Sequence, residues 1–133
     1  LYLWKGFVIW NFVIVELGPM GKRRIRLLKK LFPKNALSIV DDVYYNKDRR
    51  EEVERIFRIP ACNSIEEAMK IERLDAALIC TSPLSHHLLI LKCLEENLHV
   101  FTEINLYSNY YDEILNLAQR KNRKLFLSST PFV

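Results

Sequence analysis

The sequence has no apolar run long enough to cross a bilayer. The run FVIWNFVIV at residues 7–15 contains Asn11 and is far shorter than the roughly 20 residues that a membrane-spanning helix needs. One lysine precedes this run and no small-residue cleavage site follows it, so we expect no signal peptide. These absences favour a protein with no membrane partner, and we predict a cytoplasmic location.

Cysteine is scarce, and its pattern argues against disulfides. Only Cys62, Cys80 and Cys93 are present, an odd number with no C-x-x-C pair. Two of the three lie in apolar surroundings, so we interpret them as reduced core thiols in a reducing compartment. No cluster of cysteine or histidine has the spacing of a metal site, and we predict no bound metal.

Length and charge set further limits. The chain of 133 residues fits one domain that includes residues 1–133. With 50% hydrophobic and 27% charged residues, the composition is globular rather than disordered. The net charge of +4 favours anionic ligands without requiring nucleic acid. Because the chain begins with Leu1, we expect that residues 1–6 are not a native start.

Short apolar runs alternate with amphipathic segments along the chain. We predict strands at residues 7–15, 36–40, 76–80, 99–102 and 125–128, and helices at 21–32, 48–57, 86–96 and 110–121. Such alternation is typical of a parallel sheet with right-handed crossovers. The predicted fold class is therefore α/β, a doubly wound parallel sheet of about six strands with helices on both faces and the first strand central.

Side-chain patterns locate the helix faces and ends. The predicted core-facing positions are Ile25, Leu28 and Leu31 or Phe32 in one helix, and Val53, Ile56 and Phe57 in the next. Ser64 and Glu67 have the spacing of a capping box, in which both side chains accept hydrogen bonds from free backbone N–H groups. Asn97 suits the left-handed residue that follows a helix.

Glycine is also scarce, and two of the three glycines lie in ELGPMG at residues 16–21. This stretch matches the phosphate-binding pattern G-x-G-x-x-G, except that Glu16 replaces the first glycine. Gly18 would let the backbone approach a pyrophosphate, and Gly21 would let the following helix pack close to the strand. We predict cofactor contacts at residues 18–21, namely Gly18, Pro19, Met20 and Gly21. On this motif alone, a turn without a ligand is nearly as good an interpretation.

An acidic residue at the end of the second strand would bind the ribose of a dinucleotide. Asp41 lies 20 residues after Gly21, where a carboxylate accepts a hydrogen bond from the 2′-hydroxyl of NAD. Asp41, or its neighbour Asp42, therefore favours NAD over NADP. Arg23 and Arg24 nearby keep NADP open as the alternative.

Residues 22–34 contain seven basic side chains and no acid. A nucleic-acid-binding face is one interpretation of this cluster. No aromatic residues are interleaved with it, and the spacing fits the solvated side of an amphipathic helix. We therefore favour the solvated helix over nucleic-acid binding.

Residues 75–106, DAALICTSPLSHHLLILKCLEENLHVFTEINL, resemble the nucleotide-binding domain of the Gfo/Idh/MocA family, the glucose-fructose oxidoreductase and inositol dehydrogenase group. The family pattern is an aspartate, an apolar strand, Thr-Pro, a histidine, a helix ending in Ala-Leu, Gly-Lys-His-Val and Glu-Lys-Pro. The residues in step with it are Asp75, Thr81, Leu94, His99, Val100 and Glu103. The similarity extends from about residue 7 to the end of the chain.

This resemblance implies further cofactor contacts. The backbone from Thr81 through Ser82 to position 83 would lie along the nicotinamide side of the cofactor, and Glu103 belongs to the same motif. His86 would open the helix that walls the crevice, although a helix-start residue without a ligand is the alternative. For His87, we favour a helix-start residue that contacts no ligand.

Other positions depart from the family pattern. Ser82 replaces a proline, Leu98 a lysine, and Ile104 the lysine of Glu-Lys-Pro, which is the family's usual proton-handling residue. Isoleucine neither donates nor accepts a proton, so no intact catalytic residue is predicted. The family's larger substrate domain also has no counterpart in this sequence. We therefore expect an exposed face that is covered either by self-association or by a missing C-terminal domain.

Two functions follow from the resemblance. The first is the NAD(P)-binding domain of an oxidoreductase that acts on a sugar or polyol, truncated and inactive alone. The alternative is a non-catalytic nucleotide-binding or interaction module derived from the same fold, which the substitutions at Glu16 and Ile104 favour.

Overall fold

The computed structural model describes residues 2–4, 7–9, 11–15, 19–31, 37–40, 47–80, 86–103 and 111–128. Its central layer is a parallel sheet of six strands in the order β5-β4-β3-β6-β7-β8. These strands are β3 (Phe12–Val15), β4 (Leu37–Val40), β5 (Ala61–Cys62), β6 (Ala76–Ile79), β7 (His99–Glu103) and β8 (Leu125–Ser128). The order and direction confirm the predicted doubly wound α/β fold, with β6 and β7 as parallel neighbours.

Within the described ranges, five helices pack on the two faces of this sheet. They are α1 (Pro19–Leu31), α2 (Lys47–Phe57), α3 (Ile65–Ile71), α4 (His86–Glu95) and α5 (Tyr111–Lys121). Side chains of α3, α4 and α5 form one core cluster on one face. Those of α1 and the end of α2 form a second cluster on the other face. Right-handed crossovers produce this division, because the chain moves along the sheet in one direction through β4 and β5 and in the opposite direction from β6 onward.

The predicted first strand is shorter than expected. Phe7–Ile9 (β2) pairs antiparallel with Tyr2–Trp4 (β1) in a separate two-stranded sheet, and the strand that enters the main sheet begins at Phe12. The single strand predicted over residues 7–15 was wrong because an apolar run does not show where one strand ends and the next begins. Asn11 marks the break. It is a buried polar residue immediately before β3.

The helix ends follow the predicted signals. Ser64 Oγ accepts a hydrogen bond from the Glu67 N–H at 3.1 Å, and a Glu67 carboxylate oxygen accepts from the Asn63 N–H at 3.0 Å. The capping box is thus present, with its return bond one residue earlier than the standard pattern. Asn97 follows α4 with a φ of 63°, as its tolerance of the left-handed conformation predicts.

Two predicted core-facing residues point outward. Leu31 is 58% exposed and Ile56 is 57% exposed, whereas Ile25, Leu28 and Phe57 are buried. Adjacent helix positions differ by about 100°, so Ile56 and Phe57 do not share a narrow inner face. Leu31 lies one turn after the half-exposed Leu27 and continues that side of α1. Of the other predicted inner positions, Phe32 lies outside the described residues, and for Val53 the structure describes only its place in α2.

A buried polar network joins the amino ends of the central strands. The Asn11 N–H donates to Asp75 Oδ2 at 2.8 Å, and Asn11 Nδ2 donates to the Arg73 carbonyl at 2.7 Å. Arg73 also pairs with Asp75 Oδ1 at 3.1 Å. The Asp75 and Ala76 N–H groups both donate to the Asn11 carbonyl. These bonds fix the start of β3 against the start of β6.

Replacing Asp75 with alanine should destabilise the protein substantially. The substitution leaves the buried Asn11 N–H without its acceptor, which typically costs about 1–3 kcal/mol. We expect a loss of this size in the free energy of unfolding, measured by urea denaturation. Asp112→Ala, at an exposed position of α5, is the matched control and should change the free energy by less than about 1 kcal/mol. Equal losses in the two variants would contradict the assigned role.

Candidate functional site

In a sheet with this strand order, a ligand crevice is expected at the carboxyl ends of β3 and β6, where the order reverses. Val15 lies between Val40 and Ile79 in register, and the Cys80 N–H donates to the Val15 carbonyl at 3.0 Å. From β3 the chain moves to β4 on one side, and it resumes at β6 on the other side. Ligands of open α/β sheets bind where the strand order reverses in this way.

One register row runs across the whole carboxyl edge. Its members, in order across the sheet, are Cys62, Val40, Val15, Ile79, Thr102 and Leu127. The six strands therefore end at nearly the same level. Their carboxyl ends bring separate parts of the sequence to one edge of the sheet. The sequence-predicted cofactor contacts cluster after these same strands.

Helix α1 begins at this edge, four positions after Val15. Pro19 is its first residue, a position that suits proline because the N–H it lacks would have no partner within the helix. The N–H groups of Met20 and Gly21 therefore have no acceptor within α1 itself. Gly21 is buried, as expected of a glycine at a close approach between helix and strand. The first turn contains no acid, so the positive end of the helix dipole is not neutralised from within the turn.

The structure brings the described predicted contacts to one edge. Pro19, Met20 and Gly21 form the first turn of α1, His86 is the first residue of α4, and Glu103 is the last residue of β7. The remaining positions named from the sequence lie outside the described residues; they are Glu16, Gly18, Asp41, Thr81, Ser82 and Ile104. Asp41 follows β4 directly in sequence, and Thr81 and Ser82 fall between β6 and α4.

Thr102 is a site residue that the sequence reasoning missed. Its side chain is fully buried beside Ile79 in the carboxyl-edge row. Its Oγ1 has no hydrogen-bond partner among the residues that the structure describes. A hydroxyl-bearing residue in an otherwise apolar strand was the available signal, but threonine is also common in strands for steric reasons.

Two residues of the family-like pattern lie at the opposite edge instead. Asp75 precedes β6 and His99 opens β7. His99 Nδ1 accepts a hydrogen bond from the Lys124 N–H at 2.9 Å, and the Asp75 carbonyl accepts from the His99 N–H. Burial, assisted by the charge of Arg123, lowers the pKa of His99. Its neutral form therefore stabilises the fold, and this contribution is lost as the pH falls below the ordinary histidine pKa of about 6.5.

The three cysteines differ in accessibility. Cys62 and Cys93 are buried, whereas Cys80 is partly exposed and directly follows β6. None of the three forms a disulfide within the described residues. Burial raises the pKa of the Cys93 thiol to about 12. The burial of Cys62 and Cys93 is consistent with the prediction of reduced core thiols. In the described part of the chain, no three His, Cys, Asp or Glu residues converge in a way that would hold a metal ion.

A doubly wound parallel sheet with a glycine-containing helix start at its switch point defines a nucleotide-binding type of α/β domain. The particular family follows from the sequence. The chain belongs to the Gfo/Idh/MocA family, described as an oxidoreductase family with an NAD-binding Rossmann fold, which matches residues 10–129. The resemblance stated from residues 75–106 is thereby confirmed.

Individual relatives agree with this assignment. Mouse (Mus musculus) biliverdin reductase A is 29% identical over 115 residues, which are 85% of this chain and 37% of that protein. The WlbA dehydrogenase of Chromobacterium violaceum, solved with NADH and UDP-GlcNAcA, has a TM-score of 0.78 at 17% identity over 90% of this chain and 35% of its own.

A second solved structure is the biliverdin reductase of Synechocystis sp. PCC 6803 with biliverdin and NADP+. It has a TM-score of 0.74 at 19% identity and covers 89% of this chain and 37% of its own. This chain thus spans little more than a third of the length of these relatives. Among the described residues, no helix has the length and apolar character to span a bilayer.

Cys80 should react with thiol reagents before the other two cysteines. It alone is partly exposed, whereas Cys62 and Cys93 must wait for an opening of the core, and the raised pKa of Cys93 further limits its thiolate. We expect iodoacetamide at pH 8 to label Cys80 at least about tenfold faster than Cys62 or Cys93. Peptide mass spectrometry measures the extent of labelling at each cysteine over time. If Cys62 and Cys93 were labelled as fast as Cys80 in the native protein, the burial described here would be contradicted. Labelling in urea is the control that should equalise the three rates.

Proposed function

We propose that this chain binds NAD(P) in the crevice at the carboxyl ends of β3 and β6. In this proposal it forms the cofactor-binding part of an oxidoreductase that acts on a sugar or polyol. The observation that carries the proposal is the first turn of α1. This turn has two backbone N–H groups without an acceptor inside the helix and a buried glycine beside the switch point, in a chain whose family has an NAD-binding Rossmann fold.

The residues present fit the chemistry of a dinucleotide. A pyrophosphate is an anion, and it would accept hydrogen bonds from the Met20 and Gly21 N–H groups at the positive end of the α1 dipole. Gly18, which has no side chain, precedes these donors in the sequence, and Lys22 follows them and adds positive charge. The cofactor, when bound, supplies the hydride chemistry, and the protein positions it and excludes water.

The remaining contacts are assigned by their place after the strands. Asp41, directly after β4, would accept a hydrogen bond from a ribose hydroxyl, which favours NAD over NADP. Thr81 and Ser82, together with His86, follow β6 and would line the nicotinamide side, with Glu103 at the end of β7 beyond them.

The substrate class rests on the family and its relatives. One solved relative holds a UDP-sugar acid beside NADH, which supports a sugar or polyol. The likeness to mouse biliverdin reductase A supports a linear tetrapyrrole as the second candidate. Titrating the NAD(P)H-loaded chain with biliverdin and the NAD(P)+-loaded chain with myo-inositol separates these two classes.

A non-catalytic nucleotide-binding module is the competing function. Ile104 occupies the position of the family's proton-handling lysine, and Glu16 adds a carboxylate to the phosphate loop. The first change removes a proton-transfer group and the second adds a charge that repels phosphate, and neither position belongs to a described strand or helix. This module would bind the dinucleotide without transferring a hydride.

Replacing Glu16 with glycine should tighten NAD binding. A carboxylate near the pyrophosphate repels it by an energy on the order of 1 kcal/mol at partly screened separations, so we expect about a fivefold gain in affinity by calorimetric titration. The gain should be larger at low salt, where screening is least. Running the same titration with NADP tests the preference assigned to Asp41.

The matched control for this substitution is Glu72→Gly. Glu72 follows α3 at the opposite edge of the sheet, so the variant makes the same change in net charge far from the crevice. Its NAD affinity should stay near that of the unaltered chain. Undetectable NAD binding in both the unaltered chain and Glu16→Gly would mean that the loop is only a structural turn, and the cofactor assignment would be wrong.

The chain should show no NAD(H)-linked turnover of sugars or polyols. Ile104 cannot transfer a proton, and residues 94–120 contain no lysine that would replace the motif residue locally. The measurement is NADH absorbance with myo-inositol or glucose as substrate, in samples whose NAD occupancy is verified by calorimetry. Measurable turnover in such a sample would contradict the assignment of Ile104 as the missing proton-transfer position.

A further inference from the structure

A cavity of about 300 Å³ lies at the amino ends of β6 and β7, at the opposite end of these strands from the proposed cofactor crevice. Met69 of α3 and Leu74, which leads into β6, form its apolar part. Arg73, Asn97 and Arg123 contribute polar groups from three separate segments of the chain. None of these residues takes part in the proposed cofactor site, so the cavity needs an explanation of its own.

The charges around the cavity are unevenly compensated. The Asp75 carboxylate pairs with Arg73 at 3.1 Å and accepts the Asn11 N–H at 2.8 Å, so its negative charge is already engaged. Glu96 is the other acid that lines the cavity. Within the described residues, Arg123 makes no ion pair with Glu96 or with any other carboxylate. Arg123 is therefore the cation that an incoming anion would meet.

Arg123 is held in place by the ends of two helices. Its Nε donates to the Asn97 carbonyl at 2.7 Å, and its Nη1 donates to the Asn122 carbonyl at 3.1 Å. Asn97 and Asn122 are the left-handed residues after α4 and α5, with φ of 63° and 52°. A guanidinium has five N–H donors, and in the described part of the chain Nη2 makes no hydrogen bond. Arg123 thus keeps donors for a ligand, and it loses little conformational freedom on binding one.

The surroundings of His99 agree with this distribution of charge. Its Nδ1 accepts the Lys124 N–H at 2.9 Å, and its side of the cavity adjoins Arg123. Burial lowers the pKa of His99, Arg123 lowers it further, and Asp75 opposes this effect only in part. The imidazole therefore lies in a positive potential, which favours an anion in the cavity.

We propose that this cavity binds a small organic anion, with its carboxylate or phosphate group on Arg123 and a short apolar portion against Met69 and Leu74. The planar guanidinium suits both kinds of oxyanion because it donates parallel hydrogen bonds. A volume of about 300 Å³ is at the small end of ligand pockets, which suits a ligand with a few carbon atoms. Because the cavity shares no residue with the crevice, the proposal does not depend on dinucleotide binding.

The test is an NMR titration of the isotope-labelled chain with butyrate, butyl phosphate and butylammonium at constant ionic strength. We expect the two anions to shift the backbone signals of Asn97 and Lys124 saturably. Butylammonium should leave these signals unchanged, because charge selects among ligands with the same alkyl group. The anion that binds more tightly identifies the ligand as a carboxylate or a phosphate. The Gly21 signal monitors the crevice, where an anion would contact the first turn of α1.

Variants of the chain locate the binding surface. Arg123→Lys should weaken binding of the tighter anion at least about fivefold, because lysine keeps the charge but loses the planar fork. Arg120→Lys, at an exposed position of α5, is the matched control and should leave binding unchanged.

A second pair of variants changes the charge of the cavity without altering Arg123. Glu96→Gln should tighten binding about threefold, because it removes a negative charge from the cavity wall. Its matched control is Glu95→Gln, which makes the same change in net charge at an exposed neighbour outside the cavity and should leave binding unchanged. This pair keeps the proposal testable if circular dichroism shows that Arg123→Lys does not fold.

Three results would overturn the proposal. One is the lack of saturable shifts at Asn97 and Lys124 with either anion, including the case in which only Gly21 shifts. Another is binding of butylammonium as tight as that of the anions. The third is anion binding that a folded Arg123→Lys variant leaves intact, or that Glu96→Gln and Glu95→Gln change equally.

Discussion

The pairing of β3 with β4 on one side and β6 on the other determines the rest of the molecule. Val13, Ile14 and Val15 are almost fully buried, with Val13 and Val15 in the core on one face and Ile14 in the core on the other. Because β3 is the strand on which the chain reverses its direction across the sheet, its position creates the crevice at one end. Asn11 and Asp75 secure it at the other end.

Much of the fold was predictable because local signals and tertiary packing agree. The apolar runs at β6 and β8 have few alternatives, and the Ser64–Glu67 pair and Asn97 satisfy helix ends by local hydrogen bonds or backbone conformation. The exceptions depend on long-range packing. The pairing of Phe7–Ile9 outside the main sheet and the outward direction of Ile56 are decided by neighbours that sequence periodicity does not contain.

The candidate site was predictable to the extent that it consists of backbone. The glycine spacing correctly indicated a helix starting just after β3, and the histidine register correctly placed His86 at the start of α4. Thr102 and the exposure of Leu27 were missed because each depends on which strands become neighbours in the sheet. Leucines such as Leu27 and Leu31 are typical core residues of a helix. Their exposure depends on which strands lie beside α1, and the sequence pattern does not contain this information.

The polar network at the amino ends of the strands has a consequence for how this protein changes over time. The groups that hold β3 and β6 together, and the hydrogen bond that His99 accepts from Lys124, lie at the end of the sheet away from the crevice. Substitutions among the residues that follow the strands can therefore change the proposed chemistry while the hydrogen bonds at the amino ends continue to hold β3 and β6 together. The stability of this domain and its chemistry depend on opposite ends of the same strands.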